Sequence, residues 1–224
     1  MNSFDTFLLI TKMMQLPYTH HFLLDLHNYY YPTYIHSIHV ASVAAQIGLR
    51  LNMTDPELSN LIAAGLLHDV GKLKVPRSIL SKPGVLNDEE FHIIQKHPED
   101  TFTMLDSYHL PVPDVIKYTG LMHHRYLDTS GYPTDALLDH VPISEETKMI
   151  TVCDIFCALT SPRRYKQTYS TEFGIVELYR LADNNKVDRR YVQILDKILH
   201  SEGLLLNIGQ YEELIISKPL QPLF

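Results

Sequence analysis

Apolar residues recur along most of this chain at three- and four-residue steps, and strict alternation of apolar and polar positions is missing. That period puts one face of an α-helix inward, so the pattern predicts helices and no sheet. Across residues 33–51 the stripe is His36, Val40, Val43, Ala44, Ile47 and Leu51, an apolar face headed by a histidine. Asp55-Pro56-Glu57 reads as N-cap, first-turn proline and first-turn acid of a second helix, with Leu58, Leu61, Ile62, Gly65 and Leu66 on one face. His68 lies seven residues after Leu61 and shares that face; Gly71 is expected to end the helix, leaving 72–76 as a loop.

Asn87-Asp88-Glu89-Glu90 is another start signal, for a helix that carries Phe91 and Ile94 toward His97, where Pro98 stops it or opens the next. Pro111 and Pro113 precede a helix through Ile116 that runs out at His123-His124. Residues 125–143, with Gly131, Pro133 and Pro142, form the long loop, and long loops in compact domains are often functional. Ser144-Glu145-Glu146 opens a helix with Ile150, Asp154, Cys157 and Ala158 on one side. Two more helices, near 171–181 and 188–200, precede an apolar tail to Phe224 and are expected to serve packing, with a homodimer as a candidate assembly. The fold class is therefore all-α: a single helical domain in which residues 1–31 pack on a core of 32–170, and 171–224 add C-terminal helices and the tail.

Composition narrows the function. The chain has 224 residues, 45% hydrophobic and 20% charged, which suits one globular domain. A net charge of −7 excludes a broad basic surface for long nucleic acid, but leaves room for a small phosphorylated ligand. No stretch approaches the roughly 18 apolar residues of a membrane span, and the N-terminus lacks the pattern of a secretion signal, so a cytoplasmic location is expected. Cys153 and Cys157, four apart on one helix, read as small buried side chains rather than a disulfide.

The chemistry sits in the histidines. His68-Asp69, with Lys72 three residues on, follows an apolar helix, and His36, His97, His123, His124 and Asp154 each fall where a helical face or helix end turns them inward. Taken singly, His36 or His97 reads more readily as a core histidine, and Lys72 as a solvated loop lysine. An aspartate among apolar neighbours such as Asp154 must be paired or coordinated, because a bare buried carboxylate is costly. Imidazole and carboxylate ligands without thiolate suit divalent iron, manganese, zinc or nickel. Two ions about 3.5 to 4 Å apart can bridge a hydroxide and clamp a phosphoryl group, with Asp69 as the carboxylate able to touch both.

These residues carry a family resemblance. His68-Asp69-Val70-Gly71-Lys72 matches an HDxGK motif, and the segment from His123-His124-Arg125 to Gly131-Tyr132-Pro133 resembles the HHExxDGxGYP signature of the HD-GYP branch of the HD superfamily of metal-dependent phosphohydrolases. Lys82-Pro83-Gly84, His97-Pro98 and the stretch from Asp154 through Ala158-Leu159-Thr160 to Arg163 and Tyr165 agree with it, so the likeness runs from His36 to Lys166. The resemblance implies a helical HD domain that binds divalent ions, iron or manganese, and hydrolyses cyclic di-GMP to linear pGpG or on to GMP. It implies His36, His68, Asp69 and Asp154 as ligands of one metal, and His97, His123 and His124, with Asp69 shared, as ligands of a second. It further implies Lys72 as the phosphate contact, Arg163 and Lys166 as a basic pair that reaches the dinucleotide, and Tyr132 as a loop residue that shapes the pocket.

The departures modify those expectations. Pro32 stands where members with a third metal carry Glu, so two ions are expected, with hydrolysis stopping mainly at the linear dinucleotide. Arg125 replaces the Glu after the histidine pair, a charge reversal expected beside the second metal. Thr129 replaces a glycine, which suggests an altered loop path. Cys157 and Thr101 replace an Asp and a Gly. Arg125 and Thr129 keep two alternatives open: 3′,3′-cyclic GMP-AMP or another nucleotide as substrate, and a degenerate module that binds a cyclic dinucleotide without turnover. The stretch ahead of His36 is too short for a sensor or receiver domain, so control is expected from expression, a partner or the tail.

Overall fold

A computed structural model of the chain describes residues 3–161 and 169–201. The described elements are helical: α1 (Ser3–Met14), α2 (Pro17–Tyr29), α3 (Tyr31–Arg50), α4 (Asp55–Leu67), α5 (Arg77–Leu80), α6 (Asp88–Gln95), α7 (His97–Asp106), α8 (Asp114–Met122), α9 (Glu145–Thr160), α10 (Thr171–Asp183) and α11 (Arg189–Ser201), with 3-10 turns at Val70–Lys74 and Ala136–His140. Among these residues the only β pairing is one isolated bridge, Arg125 to Gly131. None of the described helices is long and apolar enough to cross a membrane.

The helix starts follow the capping chemistry. Asn87 and Glu90 satisfy each other's backbone N–H groups at 2.8 and 2.9 Å at the head of α6, and Ser144 Oγ accepts from Thr147 N–H at 3.1 Å at the head of α9. At α4 the sequence reading is corrected by one position. Thr54 is the N-cap, its N–H donating to Glu57 at 2.9 Å, and Asp55 is the first helical residue. That helix also stops earlier, at Leu67, and the expected loop after Gly71 is largely the Val70–Lys74 turn.

α3 is the axis of the molecule. It packs against α1, α2, α4, α9 and α11, and every residue from 33 to 45 is buried. Over that stretch the helix is enclosed on all sides rather than on one stripe, which explains why small residues such as Ala41, Ala44 and Ala45 are interspersed along it. α4 crosses α3 closely at Gly65, where a β-carbon would stand 2.9 Å from Ala41 Cα; that approach brings the ends carrying His36 and His68 together. Leu51, counted in the inward stripe, lies just past the end of α3 and is 41% exposed. α6 contains no buried residue, and Phe91 on it is 46% exposed.

α1 and α2 pack on α3 and α4, and α10 and α11 on α9 and α3, so the terminal helices share the core rather than forming separate units. Cys153 and Cys157 are buried in that core and form no disulfide. The tyrosines at the α2–α3 junction reach the segment after the His-Asp turn, Tyr29 donating to Val75 O and Tyr30 to Leu80 O, each at 2.8 Å.

Candidate metal centre

Five elements deliver one cluster. His36 projects from the second turn of α3, His68 caps the C-terminus of α4 with Asp69 next to it, His97 opens α7, His123 caps α8 with His124 following, and Asp154 lies within α9. Helix ends are suited to this task, because side chains there leave the packed barrel and can meet others from a different direction.

Three of the imidazoles are oriented by the same device. His68, His97 and His123 each use Nδ1 to bond the carbonyl oxygen three residues back, on Gly65, Ile94 and Gly120, at 2.7 to 2.8 Å. A carbonyl only accepts, so Nδ1 carries the proton and the lone pair of the neutral ring sits on Nε2, aimed into the centre.

Asp69 divides the centre in two. Its Oδ2 stands 3.5 Å from His68 Nε2 and 3.9 Å from His36 Nε2, while Oδ1 stands 3.2 Å from His97 Nε2 and 4.0 Å from His123 Nε2. Asp154 closes the first half, with Oδ1 accepting from His36 Nε2 at 2.8 Å and lying 3.9 Å from His68 Nε2, and its Oδ2 lies 3.8 Å from His124 Nδ1. Ligand-type atoms accordingly fall into two compact groups, His36 with His68 and Asp69, and His97 with His123 and His124.

The donor set fits cations. His68 Nε2 and Asp69 Oδ1 are buried and make no hydrogen bond, and lone pairs facing lone pairs in a dry site are unfavourable unless positive charge sits between them. Nitrogen and carboxylate oxygen without thiolate suit divalent iron, manganese, zinc or nickel. Protonation states agree. Burial opposes ionisation of Asp69, but the Lys72 ammonium and then the His68 ring outweigh it, holding the carboxyl well below its usual range; against the same burial, His36 does so for Asp154. Burial pushes His97 and His123 down, and His124 to about 3. The two carboxylates are thus favoured in their ionised form and the rings of His97, His123 and His124 in their neutral form, the forms that bind metals.

Around this floor lies a rim. Lys72 Nζ donates to Asp69 Oδ2 at 2.6 Å from the edge of the centre. The Tyr132 ring lies 4.6 Å from that of His124 and 6.2 Å from that of His97, and Phe91 meets Tyr132 edge-on at 6.4 Å, so the exposed Phe91 is an aromatic lip. Arg125 is the charge reversal expected beside the second metal. It is buried and turned into the loop, donating to Pro133 O at 2.7 Å and pairing with Asp139. At Thr129, where an altered loop path is expected, the threonine itself adopts φ 66°, the left-handed conformation for which glycine is suited. Arg163 and Lys166 lie outside the described residues.

The structure therefore assembles His36, His68, Asp69, His97, His123, His124 and Asp154, with Lys72 and Tyr132 at their edge. Sequence reasoning missed Thr101 and Thr151, whose hydroxyls donate to the carbonyls of His68 at 3.2 Å and His123 at 2.8 Å; no one-dimensional signal links a threonine to a backbone group about thirty residues away.

Comparison with known proteins agrees with this geometry. The HD domain family profile matches residues 16–191. A cyclic di-GMP phosphodiesterase of Pseudomonas aeruginosa is 38% identical over 143 residues, 64% of this chain and 34% of that protein. The 3′3′-cGAMP-specific phosphodiesterase 1 of Vibrio cholerae is 36% identical over 139 residues, 62% of this chain and 31% of that protein. The chain thus spans about a third of the length of these relatives. Among solved structures, the HD domain of the L. monocytogenes phosphodiesterase PgpH in complex with cyclic-di-AMP superimposes with a TM-score of 0.59 at 16% identity, over 91% of this chain and 99% of that one, which shows the fold. The chain belongs to the HD domain family, in its HD-GYP branch.

Proposed function

We propose that this chain is a metal-dependent phosphodiesterase that hydrolyses cyclic di-GMP to linear pGpG, using two divalent ions of iron or manganese. The observation that carries the reading is Asp69, whose two carboxylate oxygens face different sets of imidazoles, as a bridging ligand between two ions requires. In this reading His36, His68, Asp69 and Asp154 hold one ion, and His97, His123 and His124, with Asp69 shared, hold the other. Bound there, the ions would supply positive charge against the oxygens of the pentavalent transition state and lower the pKa of the attacking water.

The chain's own groups do the rest. Lys72 is placed at the edge of the centre to meet a non-bridging phosphate oxygen with its ammonium. The three rings fixed through Nδ1 hold their Nε2 atoms in place, so little reorganisation accompanies reaction. Burial of the floor excludes water other than the one consumed and keeps the charges strong. Tyr132 and Phe91 present aromatic surface where a purine adjoining the phosphodiester would lie. Arg163 and Lys166 are assigned to the dinucleotide through the motif they match.

Named relatives support the substrate class. The P. aeruginosa protein is a cyclic di-GMP phosphodiesterase and the V. cholerae protein acts on 3′3′-cGAMP, and the second likeness favours cyclic GMP-AMP as the alternative substrate. Protein reconstituted with Mn2+ or Fe2+ should be incubated with cyclic di-GMP, 3′,3′-cyclic GMP-AMP and guanosine mononucleotides, and the products separated by chromatography. Cyclic di-GMP should give pGpG with little GMP. Preferential cleavage of cyclic GMP-AMP would select the alternative; tight binding without product would make the chain a signalling module instead.

A further inference from the structure

The turn that carries Asp69 and Lys72 is closed by a side chain from another helix. Thr101, on α7 and fully buried, accepts a hydrogen bond from Gly71 N–H at 2.8 Å through Oγ1 and donates from the same hydroxyl to His68 O at 3.2 Å. One hydroxyl is thus relayed between the amide at one end of the His68–Gly71 turn and the carbonyl at the other. The residue four positions earlier on the same helix is His97, whose Nε2 faces Asp69 Oδ1 at 3.2 Å. Thr101 joins the backbone of one half of the centre to the helix that carries the other half.

Its methyl group has a prepared place. On α8, three residues before His123, Gly120 leaves a gap that the methyl fills: a β-carbon at 120 would stand 2.5 Å from Thr101 Cγ2. Thr101 and Gly120 are therefore complementary, and together they join the His68-Asp69 turn, α7 and α8, the three elements that supply His68, Asp69, His97 and His123.

We infer that Thr101 is a positioning residue, whose hydroxyl sets the separation between the His36–His68–Asp69 and His97–His123–His124 groups and with it the fit of the second ion. The inference rests on the two-ion reading but not on the identity of the substrate. A valine at 101 would keep the shape and remove the hydroxyl, leaving the buried Gly71 amide without its acceptor. A serine would keep the hydroxyl and vacate the gap at Gly120.

The test compares Thr101→Val and Thr101→Ser for Mn2+ stoichiometry and affinity, followed by electron paramagnetic resonance and calorimetry, and for turnover of bis(p-nitrophenyl) phosphate. Thr101→Val is expected to weaken the second Mn2+ and lower kcat by roughly 10- to 100-fold, in the range of outer-shell changes, with KM within about twofold. Thr101→Ser is expected to remain within about threefold of the parent in both readouts. Should Thr101→Val fail to fold, Gly120→Ala gives a second route: its new methyl displaces Thr101, and adding Thr101→Ser should restore most of the lost Mn2+ binding. Unchanged Mn2+ affinity in Thr101→Val, or no recovery in the Gly120→Ala/Thr101→Ser pair, overturns the inference. Because Mn2+ binding is read without any nucleotide, a wrong substrate assignment would leave this result standing.

Discussion

The floor of the centre and its rim are built on opposite principles. The floor, from α3, α4, α7, α8 and α9, is mainly buried helix in which the rings of His68, His97 and His123 each have a fixed partner, such as Gly65 O for His68 and Gly120 O for His123. The rim, from α6 and residues 125–143, is largely exposed, held by the capping box of Asn87, by Arg125 on Pro133 O, and by Leu127 N–H on Lys186 O at 3.0 Å. Every implied metal ligand is present in the floor; of the departures from the HD-GYP pattern, the uncharged Thr101 and Cys157 fall on floor helices, whereas the charge reversal at Arg125, with Thr129, falls on the rim. A dry floor tolerates no substitution that leaves a charge or lone pair unmatched, while a solvated loop can re-pair its groups.

The contrast can be broken most sharply at Asp69. Asp69→Ala is expected to lower both metal content and hydrolysis by more than roughly 100-fold, beyond the range of outer-shell partners, as read by elemental analysis and turnover; retained activity would remove the bridging role. Lys72, at the boundary, should separate the two functions. Lys72→Ala is expected to cut kcat by roughly 100-fold, as loss of one transition-state donor does, with metal content unchanged. Joint loss of metal would place it with the floor.

His39 tests the dryness of the floor by pH. Burial, followed by the charge of His36, lowers its pKa to about 4, and its ring faces Ser161 Oγ at 3.4 Å. Because the unfolded chain takes up this proton first as pH falls below about 6.5, stability is intact above that pH and is lost progressively down to about 4. Between pH 7 and 5 this one group should cost the metal-free protein about 2 kcal/mol in urea unfolding, and His39→Gln should flatten the dependence. An unchanged slope would show a hydrated pocket.

The smallest effect belongs to the rim. Thr129 holds φ 66° with a β-branched side chain, so Thr129→Gly should stabilise the protein by about 1 kcal/mol, relief of strain outweighing the entropy of glycine. Destabilisation would mean that the threonine is held by contacts worth more than its strain.

Much of the architecture was legible along the chain because a helix is a local object: its period, caps and stops are written within a few residues of one another. Asn87, Pro98, Pro113 and Ser144 announced their helices for that reason. The errors, at Leu51 and Asp55, concern where a helix ends and what its end presents, and that depends on neighbours the local pattern does not contain. The seven ligand-type residues could be named from the motifs, since their order and spacing are one-dimensional features.

By itself the sequence determined an all-helical chain, the helix starts, the absence of a disulfide framework and the identity of the groups that converge. Only the tertiary structure decided that Asp69 turns one oxygen to each half of the centre, that Arg125 faces the loop, and that Thr101 fits against Gly120. Those facts arise from helix crossings and from hydrogen bonds between residues far apart in the chain, and such pairings acquire energy only once the core has brought the elements together.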